Sequence, residues 1–212
     1  MTATQTTAGT SPRPRPPQVF AFLFCSVDGF IEDAEHRLDW NTNDPELFVW
    51  NQRQARQAPH IGAVLLGRRT YDHFADFWTT PEAAEQFPEI AAFMHEAPKT
   101  VVTTRPDSLP AWHGARPADG ADLPGVVAEL HAEHDGDIAV FGSSELAARL
   151  LEQGLLDELR ILISPVLLGH GTGLFHGLGA RVRLQAGPAT MFPSGNALLT
   201  YTPQAPERAD AA

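Results

Sequence analysis

The chain has 212 residues and a net charge of -11, from 15 Lys and Arg against 26 Asp and Glu; 43% of it is hydrophobic and 19% charged. That length suits one domain of about 150–200 residues with short tails, and the acidity argues against non-specific nucleic-acid binding and against an anionic membrane surface. One cysteine, Cys25, excludes an internal disulfide, no apolar run is long enough to span a bilayer, and no apolar signal core precedes Val19, so a cytoplasmic enzyme is the expectation.

Residues 1–17, MTATQTTAGTSPRPRPP, are small, polar and proline-rich, and read as a disordered tail that includes Arg13 and Arg15. Residues 204–212 read as a second frayed end, which leaves 18–203 as the domain. Val19 to Val27, VFAFLFCSV, is nearly continuous in apolar residues, as a strand covered on both faces should be. Cys25 within it reads as a small buried residue rather than a reactive thiol. Asp28-Gly29 then marks a turn. Asp44 as cap, Pro45 at the first helical position and Glu46 in the first turn open a helix to about Gln57.

Ile61 to Leu66 is a second strand, running into Gly67-Arg68-Arg69-Thr70. There a glycine lets the backbone turn and a helix opens under two arginines. N–H groups, helix dipole and guanidinium forks converge, which favours a phosphate. A helical segment follows from about Pro81 to His95, then the strand KTVVTT, Lys99 to Thr104, ended by Arg105-Pro106. A short strand is expected near Ala115 and a helix from Asp122 to about His134. His131, Glu133 and His134 have a spacing that could bind metal, but without another convincing ligand they read as a solvated helix end. The chain has no Gly-x-Ser-x-Gly elbow, no His-Glu-x-x-His and no complete Walker loop.

The most informative stretch is Asp137 to Gly173. A short strand, Ile138 to Phe141, breaks at Gly142-Ser143-Ser144, and Leu146, Ala147, Leu150 and Leu151 follow at helical spacing. Ser143 or Ser144 can cap that helix, Glu145 sits in its first turn, and Gly154 fits its stop. A second apolar run, Leu159 to Leu168, is interrupted by Ser164-Pro165 and ended by Gly169. This strand–turn–helix–strand unit aims free backbone N–H groups above the sheet edge, where they suit a phosphate. A glycine-rich loop, Gly169 to Gly173, follows. Arg181 to Ala186 and Ala197 to Tyr201 read as an antiparallel hairpin around Phe192–Asn196, at a sheet edge where two copies could pair.

Gly142-Ser143, Leu146, Leu150-Leu151, Gly154-Leu155-Leu156-Asp157-Glu158-Leu159 and Pro165-Val166-Leu167-Leu168-Gly169 together resemble the reductase domain of bacterial riboflavin biosynthesis, within the dihydrofolate-reductase-like superfamily. The resemblance is closest to the stand-alone bacterial members. It implies a three-layer α/β/α sandwich with a mostly parallel, mixed sheet of about eight strands, and NADPH as cofactor. On that likeness Gly67, Arg68 and Thr70 form one phosphate element, and Thr103, Thr104 and Arg105 meet the adenosine side and its 2′-phosphate. Phe141, Gly142, Ser143, Ser144, Glu145 and Leu146 form the cofactor turn, and Val27 flanks the cofactor at the end of the first strand. Arg68 and Arg105 would select NADPH over NADH.

The same likeness makes residues 28–40 the loop over nicotinamide and substrate. Asp39 or Asp28 would orient substrate or assist protonation. Asp39 reads equally as an ordinary loop residue, and Asp44 more as a cap than as a substrate contact. The implied reaction is hydride transfer to a small pyrimidine- or pterin-like or carbonyl molecule, by a homodimer, with no metal, nucleic acid or membrane involved. An alternative keeps the fold as a non-catalytic NADPH-binding or dimeric interaction module. Two departures stand out: folate reductases carry Gly-Gly where this chain has Gly142-Ser143, and no deaminase signature precedes the reductase-like part, which excludes a bifunctional riboflavin role within this chain.

Overall fold

Strand β1 (Val19–Ser26) sends its side chains to two sides, and the layers of the fold follow from that sorting. Val19, Ala21, Leu23 and Cys25 enter one core, Phe20 and Phe22 another. The computed structural model describes residues 15–41, 46–47 and 61–204. After β1 come β2 (Phe30–Glu32), β3 (Ile61–Gly67), α1 (Arg68–Trp78), α2 (Pro81–Gln86), α3 (Pro88–Glu96), β4 (Lys99–Val102) and β5 (Ala115–Ala118). The chain continues through α4 (Leu123–Glu133), β6 (Asp137–Phe141), α5 (Ser144–Glu152), β7 (Glu158–Ser164), β8 (Thr172–Gly173), β9 (Leu184–Met191) and β10 (Ala197–Pro203).

Eight strands form one sheet in the order β5-β4-β3-β6-β1-β7-β10-β9, while β2 and β8 pair separately. Neighbours from β5 to β7 are parallel; β10 runs antiparallel to both β7 and β9. Helices α4 and α5 cover one face through Leu123, Leu130, Leu146 and Leu150, against Ala63, Leu65, Ile138 and Val140. On the other face Tyr71 of α1 and Met94 of α3 pack on Val64, Leu66 and Val101. Each large apolar side chain so buried contributes about 1.5–3 kcal/mol. The expected α/β/α sandwich with a mixed sheet of eight strands is what forms.

Several local expectations need correction. The helix expected from Pro81 to His95 is two helices, α2 and α3, because Pro88 has no N–H to continue the first. Strand β9 lies later than expected, from Leu184 to Met191, and accommodates Pro188 as an edge strand can; all its residues are exposed. Arg15 is not a free tail residue: its guanidinium grips the buried Asp137 carboxylate at 2.6 and 2.9 Å. The helix expected from Asp44 to Gln57 lies outside the described residues, apart from Glu46 and the buried Leu47. Burial pushes the Cys25 thiol up to about 11, consistent with an inert core residue. At the end of α4, Arg116 binds Glu133 at 2.6 Å.

Candidate functional site

Strands β3 and β6 lie side by side and parallel, and each hands the chain directly to a helix. Gly142 makes the second turn possible: its φ is +62°, and a Cβ there would stand 3.0 Å from Thr70 Cγ2. Ser143 follows in the left-handed region, at φ 55° and ψ 62°. Its hydroxyl does not cap α5. It accepts the Gly67 N–H at 2.8 Å and donates to Thr70 Oγ1 at 2.7 Å, tying the two strand–helix turns together. Ser144 does not cap the helix either, so the first-turn N–H groups of α5 have no side-chain acceptor. Helices α1 and α3 are likewise without a side-chain cap, whereas α2 and α4 are capped by Thr80 and Asp122. Two helix N-termini with their positive dipole ends thus converge at one place.

They converge on a cavity of about 1140 Å³, above the range of about 300–1,000 Å³ usual for one small ligand. It sits at the C-terminal ends of β3, β4 and β6. There the chain leaves β3 toward β4 and β5, then returns through α4 to β6 on the opposite side of β3, the kind of switch point where open α/β sheets bind ligands. Every residue expected to meet the cofactor lines this cavity except Val27. Val27 is 59% exposed, its N–H held by the Val166 carbonyl at 2.9 Å.

The two expected arginines differ. Arg68 is committed to the protein: its Nε donates to both Asp72 oxygens at 2.8 and 2.9 Å, and its remaining nitrogens reach Ser108 Oγ, the Ser108 carbonyl and the Arg105 carbonyl at 3.1, 2.8 and 3.4 Å. It braces the exit loop of β4 rather than offering a fork to a ligand. Arg105 is exposed on the cavity rim, and its guanidinium has no partner among the described residues. Beside it Thr104 is exposed, while Thr103 turns inward and accepts the Arg105 N–H at 3.1 Å.

The cavity is also walled by Phe20, Phe22 and Phe24 of β1, Phe74 and Trp78 of α1, and Phe93 of α3. Neither expected carboxylate lines it. Asp28 accepts hydrogen bonds from Ser26 Oγ at 2.6 Å, Gly169 N at 2.7 Å and Leu168 N at 3.1 Å, with Ser26 foremost in holding its carboxyl down at about 2. That makes it an anchor between two loops. Asp39 is exposed beside Leu38 and Asn41, which do line the cavity.

One carboxylate in the wall is buried: Glu32, only 5% exposed and absent from the expected set. It accepts from Thr172 Oγ1 at 2.6 Å, lies 2.7 Å from His36 Nδ1, and meets the Arg69 guanidinium at 3.4 Å. Burial works against its charge, but the hydrogen bonds from Thr172 and His36 and the charge of Arg69 outweigh it, and the carboxyl sits below its usual range. Gly171 lets the glycine-rich loop reach it: a Cβ there would fall 2.0 Å from the Glu32 carbonyl oxygen. The signal for Glu32 was its place at the end of the apolar pair Phe30-Ile31, shortly after the turn. Among the described residues no cluster of three or more His, Cys, Asp or Glu could hold a metal ion, and no helix is long and apolar enough to cross a membrane.

Comparison with known proteins agrees with this architecture. The chain is 25% identical over 179 residues to the uncharacterized protein YyaP of Bacillus subtilis (strain 168), covering 84% of this chain and 91% of that protein. It is 28% identical over 164 residues to the riboflavin biosynthesis protein RibD of Corynebacterium ammoniagenes, covering 74% of this chain but 45% of that longer protein. Among solved structures, a putative riboflavin biosynthesis protein from Shewanella sp. PV-4 superposes with a TM-score of 0.66 at 21% identity, over 88% of this chain and 99% of that one. The Thermotoga maritima diaminohydroxyphosphoribosylaminopyrimidine deaminase/5-amino-6-(5-phosphoribosylamino)uracil reductase gives 0.63 at 16% identity, over 89% of this chain and 57% of that one. Dihydrofolate reductase from Enterococcus faecalis, solved with NADP(H), gives 0.54 at 14% identity, over 88% and 96%. These structural likenesses are of fold. The model of the RibD C-terminal domain matches residues 17–198, and the chain belongs to that family.

Proposed function

We propose that the chain is an NADPH-dependent reductase that reduces a C=N or C=O bond in a small pyrimidine- or pterin-like or carbonyl molecule. One observation carries the reading: two helix N-termini without side-chain caps and an open arginine face the same large cavity. That donor set suits a phosphate-rich dinucleotide. When bound, NADPH supplies the hydride. The first-turn N–H groups of α5 and α1 hold the pyrophosphate, and Arg105 with Thr104 holds the 2′-phosphate through charge-assisted hydrogen bonds. Phe141 and the β1 aromatics close the cavity floor and keep water from the reacting atoms. Among the described residues, selection against NADH then rests on Arg105, since Arg68 is engaged by Asp72 and Ser108. The wholly exposed edge strand β9 supports a homodimer joined there.

Fluorescence titration of the purified protein with NADPH and with NADH tests the reading. NADPH should bind more tightly, and Arg105→Ala should bring the two to similar affinity. Failure to bind either dinucleotide overturns it.

A further inference from the structure

Helix α1 opens on two adjacent arginines, and the fold uses them differently. Arg68 is fixed: its Nε lies 2.8 and 2.9 Å from the Asp72 oxygens, and its other nitrogens reach Ser108. Arg69, one residue on, lines the cavity with its side chain 60% exposed. Among the described residues its guanidinium meets one partner, with Nη1 standing 3.4 Å from Glu32 Oε1. A well-formed guanidinium–carboxylate pair closes to about 2.7–2.9 Å and often uses two nitrogens. This one is long, single and largely in water on the arginine's side, so it is weak.

Glu32 does not depend on it. The same Oε1 accepts from Thr172 Oγ1 at 2.6 Å and lies 2.7 Å from His36 Nδ1. Burial opposes the carboxylate's charge, and the Thr172 and His36 bonds offset that burial more than the charge of Arg69 does. Without Arg69 the carboxylate would still be held where β2 pairs with β8. Arg69 is therefore the movable member of the pair. It belongs to the first turn of α1, whose N–H groups have no side-chain cap. A phosphate held by those N–H groups lies within reach of a side chain from the same turn. It also offers a guanidinium several oxygens and more charge than one carboxylate oxygen already shared with two other groups.

Resting on the reductase reading, we infer that Arg69 exchanges partners when the dinucleotide binds, leaving Glu32 to pair with the pyrophosphate. Glu32 is then the internal competitor that holds Arg69 in the empty protein. The tie between α1 and the β2–β8 pair is closed without ligand and open with it.

Fluorescence titration with NADPH and with NADH, run as a double-mutant cycle on Arg69 and Glu32, tests the exchange. Arg69→Ala should weaken both dinucleotides by the same factor, about tenfold or more, because the pyrophosphate is common to them. Glu32→Gln should tighten NADPH about two- to fivefold by freeing Arg69. In the Arg69→Ala background the same substitution should change affinity by less than about 1.5-fold. Glu32→Asp keeps the charge but withdraws the carboxylate by one methylene. It should give a similar gain, and it decides the point should Glu32→Gln not fold. Full affinity in Arg69→Ala, or a loss confined to NADPH, would overturn the pairing with pyrophosphate. No gain from either Glu32 variant, or an equal gain from Glu32→Gln in both backgrounds, would overturn the competition and leave the reductase reading standing. Wild-type protein that binds neither dinucleotide would overturn the reductase reading instead. Inorganic pyrophosphate titrated into the same proteins would then judge the exchange by the same criteria, and its failure to bind would overturn the exchange as well.

Discussion

The two loops that frame the cavity are held by different means. At the ends of β3 and β6 the frame is a backbone turn tied by a neutral hydroxyl: Gly142 turns, Ser143 binds the Gly67 N–H and the Thr70 hydroxyl across the chain, and two helices start uncapped. At the ends of β1 and β7 the frame is charged carboxylates meeting a distant loop. Asp28 holds Gly169 and Glu32 holds Thr172, pairs separated by 141 and 140 residues. The first kind of frame leaves donors open for a ligand. The second consumes its carboxylates in holding loops, so an acid near the site is not thereby a catalyst.

The sharpest way to break this contrast is at the two glycines. Gly171 has φ +149°, and an added Cβ would meet a backbone oxygen at 2.0 Å that cannot swing aside. Gly171→Ala should therefore cost on the order of 3 kcal/mol in urea denaturation by undocking β8 from β2. Gly142→Val should cost about 2–3 kcal/mol, from the left-handed backbone and the contact with Thr70, and should also weaken NADPH more than tenfold because the turn carries the donors. A Gly171→Ala protein within about 0.5 kcal/mol of wild type would show that the loop is not docked as described.

The arginine pair comes next in size. Arg105→Ala should lower NADPH affinity about 10–100-fold with NADH affinity and stability unchanged, because a charge-assisted bond to the 2′-phosphate is lost. Arg68→Ala should do the reverse: a stability loss of about 1 kcal/mol, discounted for its partial exposure, with NADPH preference over NADH retained. Exchanged results would mean that Arg68 leaves Asp72 to serve the ligand.

The strand-end frame was legible because its parts are consecutive. Gly67 to Thr70 and Phe141 to Leu146 each hold strand end, turn and helix start within six residues, so pattern together with the family likeness located the cavity wall. Arg68 could have been recognised as engaged, since Asp72 stands four residues on, on the same helix face. The break at Pro88 was equally visible. Glu32 was not, because its burial depends on Thr172 and Gly171 in a distant loop. Nor was the anchoring of Asp28, although Ser26-x-Asp28 places a hydroxyl beside the carboxylate. Arg15 lay in a stretch that composition marked as tail, and only the fold brings Asp137 to it.

The smallest expected effect concerns pH. Asp28 titrates at about 2 instead of its ordinary 3.8, and Glu32 below its ordinary 4.5. A carboxyl held below its unfolded value adds stability that is complete above the unfolded value and is lost as pH falls through the folded one. Both loop anchors should therefore weaken from about pH 4.5 down toward pH 2, while the strand-end frame, made of hydroxyl and backbone bonds, has no such dependence. Glu32→Gln should lower stability near pH 6 by on the order of 1 kcal/mol and Asp28→Asn by less, since Asp28 is solvent-exposed. In melting curves taken against pH, both variants should approach wild type as the acid range is entered. Curves that stay parallel down to pH 2 would mean that the two acids hold the loops by shape rather than charge, and that the chemical contrast between the two frames does not exist.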